Sequence, residues 1–514
     1  MAAIAEETQP LLRSESSANS HKDAHLKDII DFDPNGDSEN PLDWPAPYRW
    51  SIVALLAVTA FCVTFTCISL VPVANEIIKD LNHGRPDKSA SVMLVTIWEL
   101  GEAAGPLFIA PLSEVFGRYP VMNAANILLV SATLLASFAT SSHSMVFARF
   151  LSGLAVASNV LSPAIVGDMF ASEQRGTAMS FIMFAPLLGG AIGPAISGAI
   201  AESIGWRTVL WMSAGLAGVC EIVFLTCFRE TFKVAILNRR AARLRKETGN
   251  QNLKTLFEIE GAEKKDGSLW ESIMRPVVVF AGSGVLQAIS LFGSVSFAYF
   301  YVMSTSLPDI LEGIYGLNAA ETGFAFISFS KWWSSRLCLV SLTSESGVGS
   351  VLVVILCNLF LDKIYIRLRD ASKDGLGQPE FRLPFCIIGG FCLSALVAFY
   401  GWTAEIKLPL PITLLSVAGM GAGLTLSSLP LMAYVVDAFG LYSASALTAV
   451  IVTRCLVGTF LPLATDPLVQ AWGYGRAFTA LGAVSLCLAP IPLVVMRYGG
   501  KWRQTSKYTR GSDD

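Results

Sequence analysis

Apolar runs of about twenty residues, nearly free of charge, recur along almost the whole chain and are separated by short polar connectors. A helix rises about 1.5 Å per residue, so about 20 apolar residues cross the roughly 30 Å hydrocarbon core of a bilayer. A chain patterned this way is expected to fold as an all-α polytopic membrane protein. The composition agrees, because 53% of its residues are hydrophobic and 15% are charged, against about 25% charged in a typical soluble domain.

Hydropathy and flanking charge together predict twelve spans. Six fall in a first half, at 50–73, 90–109, 120–139, 145–166, 179–200 and 208–228. The second half gives 277–303, a broken eighth span over 323–361, then 384–403, 408–434, 444–463 and 477–495. The long polar stretch between the halves, 229–275, carries Arg239, Arg240, Arg243, Arg245, Lys246, Lys264 and Lys265. Basic connectors stay in the cytosol, which places this loop, both termini and the 363–382 connector there; Lys79, Arg85 and Lys88 run against the rule. The expected organisation is an unstructured tail over 1–49, a six-helix half over 50–228, the central loop over 229–275, a second half over 276–496 and a cytosolic tail over 497–514. No signal peptide is expected at the start.

The eighth span is irregular. Residues 331–346 separate two apolar pieces that would otherwise fuse into one crossing. Two readings stay open: an extra segment such as a retained intron would encode, and an extracellular loop that leaves a shorter span beginning near Val340.

Ionisable residues at membrane depth are the chemical signal. WELGEAAGP in span 2 puts Glu99 and Glu102 three residues apart on one helical face. Two carboxylates in a low dielectric resist ionising together, so one of them can carry a proton. The alternative is a static bridge from one of them to Arg149 or Arg454. Arg149 in span 4, four residues before Gly153, either faces a partner or wet cavity or snorkels to the outer interface. Glu221 in span 6 and Arg454 in span 11 are further charges at depth, with no role assigned. In span 5, APLLGGAIGPAISGAI leaves one face almost bare at Gly189, Gly193, Pro194 and Gly198, which lets a neighbouring helix approach closely.

Other chemistries find no support. The ten cysteines lie mostly in apolar spans without paired CxxC spacing, and the four histidines, His21, His25, His83 and His143, lie outside the spans. HExxH, GxSxG and Walker A patterns are missing. Neither enzyme activity, metal, cofactor, ATP nor nucleic acid is expected.

The connector between spans 2 and 3, APLSEVFGRYP over 110–120, resembles the loop that marks the major facilitator superfamily. Leu112, Glu114, Gly117 and Arg118 match that pattern in type, Ala110 replaces its first glycine and Glu114 its usual aspartate. Gly117 permits a tight turn, and Glu114 and Arg118 could pair or cap a helix end, making a latch that breaks and reforms as the halves rock. Arg149 with Gly153 is similar to the family's span 4 motif, which is associated with proton coupling. The span 5 glycines resemble the motif of its antiporter branches, with Ser197 at one glycine position. NPLDWPAPYRW over 40–50, Arg229-Glu230-Thr231, PEFRLP over 379–384, and the run containing Tyr434, Asp437, Ser443, Ser445, Arg454, Gly458 and Pro462 resemble the fungal drug:proton antiporter branch.

The resemblance covers about 40–503 and implies two pseudo-symmetric six-helix halves around a cavity lined by spans 1, 4, 7 and 10. Tyr299, Tyr301, Tyr434, Asp437 and Arg454 are the cavity candidates, and span 7 aromatics could stack on a flat organic substrate. The implied function is proton-coupled export of hydrophobic organic compounds: drugs, toxins or a fungal secondary metabolite. Polyamine export, a proton-coupled uptake symporter and a non-transporting sensor are the alternatives, in that order. The expected partners are a small organic substrate, protons and the lipid bilayer, with the protein a monomer. The plasma membrane is the first expected location. The vacuole is second, since Glu7, Leu11 and Leu12 have acidic dileucine spacing.

Overall fold

A computed structural model describes residues 29–33, 36–170, 172–250, 253–255, 257–258, 269–325, 363–370, 378–506 and 509. The 331–346 segment and the dileucine pattern lie outside the described residues. Among those described, nine helical runs are long and apolar enough to cross a bilayer. The last of them contains two crossings, because the backbone turns at Gly473, where φ is 80°. Span 4 is built from two shorter helices, Ser142–Leu154 and Ser158–Met169. The side chains that point away from the protein are apolar, among them Leu415 at 67% exposed and Ile222 at 63%. A bilayer, in which every backbone polar group must bond internally, is the solvent that tolerates such a surface.

Local sequence sets several helix ends. Asp87 accepts from the Ala90 N–H and starts span 2, Lys88–Phe116. Span 2 stops at Gly117, where φ is 99°. A Cβ added there would lie 2.2 Å from Glu230 Oε2, so both the backbone and the neighbour require glycine.

Several boundaries differ from those the hydropathy predicts. Span 1 is Ala46–Ile68, starting after Pro45. Span 7 is Gly284–Gly313, because Ser283 caps a new helix and 269–281 form a separate one. It continues past Met303 to carry Asp309, whose charge is met by Lys88 and Asn75.

The two halves meet along symmetric pairs. Span 2 packs on span 11, Ser443 onward, and span 5 packs on the Ala319–Ala325 helix that begins span 8. Near the outer ends Lys88 pairs with Asp309, Asn75 Nδ2 donates to Asp309 at 2.9 Å, and Asn318 Nδ2 donates to Glu202 at 3.1 Å. Each of these contacts crosses between the halves. Together they close the outer side.

Ahead of span 1, the tail expected to be unstructured carries a short strand and a set of ion pairs. β1, Ile29–Ile30, pairs in parallel with β2, Lys254–Thr255. Ile30, Leu237 and Ala241 form a small core with Phe32, Leu244, Leu253 and Phe257 around it. Asp37 pairs with Arg240, and Glu39 with Arg243 at 2.8 Å, so the tail is tied to the linker helix Lys233–Thr248. The sequence, rich in Ser, Asp, Glu and Asn, points to an unstructured tail and hides these pairs, because their partners lie about 200 residues downstream.

Burial works against the Asp37 charge, but hydrogen bonds from the Glu39 N–H, the Arg240 guanidinium and the Asp33 N–H hold its carboxyl below the usual range. A group with a depressed folded value contributes stability above its unfolded value and loses it as the pH falls through the folded one. Limited proteolysis of the linker is therefore expected to accelerate at acidic pH in the wild type. Asp37→Asn should show the fast pattern at neutral pH; equal cleavage of both proteins would refute the tie.

Candidate functional site

Gly101 and Gly105 of span 2 and, across the crossing, Gly153 of span 4 let the two helices touch backbone to backbone. A Cβ at Gly153 would lie 2.1 Å from Trp98 O, and one at Gly101 would lie 2.3 Å from Phe150 O. This contact fixes the rotation of span 2 and turns Glu99 and Glu102 toward the other half.

Both carboxylates are buried, Glu99 at 1% exposed and Glu102 at 7%. Glu99 Oε1 accepts from the Tyr301 hydroxyl of span 7 at 2.6 Å. Its other oxygen, Oε2, lies near Gly458 and has no hydrogen-bond partner among the described residues. Glu102 Oε1 accepts from Asn159 Nδ2 at 2.8 Å and from Arg454 Nη2 at 3.4 Å. The Arg454 guanidinium lies 4.1 Å from the Phe297 ring centroid, a cation–π arrangement that disperses its charge in an apolar setting. Two acids of the first half thus face one cation and one phenol of the second. Of the two bridges that the sequence leaves open, the structure makes the one to Arg454.

Arg149 does something else. It is 1% exposed, so it does not snorkel. Its guanidinium donates to Thr66 O at 3.0 Å, Cys67 O at 2.8 Å and Leu94 O at 3.4 Å, and it stacks 4.7 Å from the Trp98 ring centroid. Thr66 and Cys67 are in the last turn of span 1, where helix carbonyls lack intrahelical partners and the dipole favours a cation. No ion pair joins Arg149 to an acid among the described residues. Its geometry is that of a cap that ties spans 1, 2 and 4 together.

The latch between spans 2 and 3 forms with other partners than expected. Glu114 is exposed, and no ion pair joins it to Arg118 among the described residues. Arg118 instead reaches Asp168 at the end of span 4, at 3.4 Å, and Ser113 Oγ at 2.5 Å. Its backbone N–H donates to Glu230 Oε1 at 2.8 Å, and Thr231 Oγ1 donates to Asp168 at 3.2 Å. Short range misled the expectation: the acids that serve Arg118 lie at the end of span 4 and just past span 6, invisible in the local motif. Leu112 is half-buried.

The span 5 motif serves two seams. A Cβ at Gly189 would meet Phe61 O of span 1 at 2.8 Å, and Gly193 faces Phe65 at ordinary contact distance. Farther out, Gly198 abuts Ala319 O at 2.4 Å, and Gly323 abuts Pro194 O at 2.2 Å from its added Cβ. This is a backbone contact between the halves.

The remaining cavity candidates separate. Tyr301 and Arg454 join the central pair. The Tyr299 hydroxyl donates to Leu481 O at 2.7 Å and packs inside the second half. Tyr434 is buried toward the inner end of span 10, and Asp437 there accepts from Arg382 Nε at 2.8 Å. With Arg503 and Glu380 paired at 2.9 Å, Asp437 belongs to an ionic cluster at the end of span 10 in the second half. Among the described residues no His, Cys, Asp and Glu cluster has the makings of a metal site.

Comparison with known proteins gives a consistent result. The family model of the Major Facilitator Superfamily matches residues 56–462. The chain is 30% identical to the efflux pump radE of Floropilus chiversii, covering 93% of this chain and 86% of that one. It is also 30% identical to the MFS transporter cpaT of Aspergillus oryzae, covering 93% and 92%. Among solved structures, the partially occluded inward-open xylose transporter XylE from E. coli aligns with a TM-score of 0.62 at 16% identity, over 88% of this chain and 98% of that chain. The loop 2–3 latch and this breadth of match lead to one assignment: the chain belongs to the major facilitator superfamily.

Proposed function

We propose that this protein exports hydrophobic organic compounds in exchange for protons, by alternating access. The observation that carries the reading is the buried contact between the halves, in which Glu99 and Glu102 of span 2 meet Tyr301 of span 7 and Arg454 of span 11. An acid that gains a proton gives up its claim on the cation opposite. Protonation at this contact therefore weakens the interaction between the halves at the depth where substrate would sit. Glu99 Oε2, buried without a partner, is the oxygen on which a proton fits with least disturbance.

The outer contacts Lys88 to Asp309 and Gly198 to Ala319 are closed here, so the conformation is the one that takes cargo from the cytosol. Similarity to the efflux pump radE of Floropilus chiversii favours export, with a drug, toxin or secondary metabolite as cargo. The plasma membrane is the first location for such a protein and the vacuolar membrane the second, and a monomer suffices, since both halves of the contact come from one chain.

Expression in a yeast lacking its main exporters tests the reading. Loss of at least one compound from a panel of hydrophobic toxic organics should be accelerated by the protein, and a protonophore should remove that acceleration. Faster loss that ignores the protonophore would overturn proton exchange, and faster gain would make the protein a symporter.

A further inference from the structure

Glu221 of span 6 takes no part in the contact between the halves, yet it is 5% exposed and sits where a charge is costly. Its Oε2 accepts from Asn126 Nδ2 of span 3 at 2.8 Å. Its Oε1 is buried and has no hydrogen-bond partner among the described residues. The surroundings are a small cavity of about 10 Å3, lined by Thr59, Cys62, Asn126, Cys220 and Glu221 with the apolar Leu129 and Ala217. That is room for about one water.

The neighbours decide the ionisation. Span 1 presents Thr59 and Cys62, span 3 presents Asn126, and span 6 itself presents Cys220; the titratable groups among them are the two thiols. No ion pair is made with Glu221 among the described residues. The Thr59 hydroxyl donates its hydrogen to Leu55 O at 2.9 Å, so toward the cavity it can only accept. Thiols are weak donors. Among the described residues no cation and no protein donor faces Oε1, so an ionised carboxylate would have one water as its sole compensation in an apolar setting, whereas a protonated one donates to that water, which in turn donates to Thr59 Oγ1.

The site also lies on the seam that the latch closes. Asn126 follows Arg118 by about two turns of span 3, and Glu221 lies about two turns before the end of span 6 at Cys227, with Glu230 just beyond it. Between these rungs the Tyr119 hydroxyl donates to Leu225 O at 3.1 Å. The bonds from the Arg118 N–H to Glu230 just past span 6, from Tyr119 to Leu225 and from Asn126 to Glu221 are thus successive ties between span 3 and span 6 with its exit. If the first opens, the last is placed under load.

We propose that Glu221 is a second proton-binding site, in which a carboxyl holds its proton beside one water and releases it when the span 3 to span 6 seam opens with the latch. The proton-driven reading above gives this release its place in transport, but proton binding itself can be observed without transport.

Infrared spectroscopy of the purified full chain at neutral pH tests it. A protonated-carboxyl band should vanish in Glu221→Gln and persist in Glu99→Gln. The same band should weaken in Glu230→Gln, and in Asp168→Asn, which loosens Arg118 from its other anchor should the first variant fold poorly. No band lost in Glu221→Gln would overturn the site, and a Glu221 band indifferent to both latch variants would overturn the coupling. Protonophore-insensitive export by the wild type would sink the transport reading alone and leave the band in place.

Discussion

Glu102→Gln is expected to uncouple the protein: accumulation driven by a pH gradient should fall to background while the chain still reaches the membrane. The wild-type carboxylate faces Arg454 at 3.4 Å across the two halves. Gln keeps the shape and can still accept from Asn159, but it supplies no countercharge. A buried ion left alone costs about 3–5 kcal/mol; Arg454, 20% exposed at its side chain and stacked on Phe297, should lie at about the lower end of that range. The variant should therefore be less stable in the closed-outside state, and its halves should no longer respond to protons at Glu102. A double variant, Glu102→Gln with Arg454→Gln, removes the lone charge. It should recover thermal stability in detergent while staying uncoupled. Full gradient-driven transport in Glu102→Gln would remove this acid from the mechanism.

Gly153→Ala is expected to be the most damaging change of a single methyl group in the first half. The added carbon would lie 2.1 Å from Trp98 O and 2.9 Å from Trp98 C. Both are backbone atoms, so no rotamer change relieves the clash and spans 2 and 4 must separate. Overpacking a tight core costs about 1–3 kcal/mol, and more where backbone must move. Separation would also lift Trp98 from the Arg149 guanidinium and pull that cap from the end of span 1. The comparison is Gly215→Ala in span 6, where nothing lies within 4 Å of the added carbon. Removing a helical glycine at an open position stabilises by up to about 1 kcal/mol. Thermal unfolding of the two variants should therefore shift in opposite directions; equal shifts would mean that the contact at Gly153 is not tight.

The predicted crossings and the central acids were legible because a bilayer imposes its length on every span and makes each charge within it conspicuous. Glu99, Glu102 and Arg454 stand out in apolar sequence, and three-residue spacing already put the acids on one face. What pattern could not supply was partnership. Arg149 bonds backbone carbonyls, which have no signature in sequence. Arg118 was read with the nearest acid, Glu114, whereas the fold brings Asp168 and Glu230 to it from two other helix ends. Tyr299 and Asp437 stand beside Arg454 among the cavity candidates of the sequence, yet their bonds turn them into the second half, away from the contact with the first. The ordered 29–45 segment escaped notice for the same reason, since a two-residue strand and scattered acids acquire meaning only beside the linker helix.

The most direct measurement uses the purified protein in liposomes with an acidic lumen and a neutral exterior, following hydrophobic fluorescent compounds, Nile red first, together with internal pH. Molecules whose cytosolic face points outward should load dye into the lumen while protons leave, with both fluxes lost in Glu102→Gln and on collapse of the gradient. Dye loading without proton movement, or undiminished loading by Glu102→Gln, would contradict proton exchange through the span 2 acids.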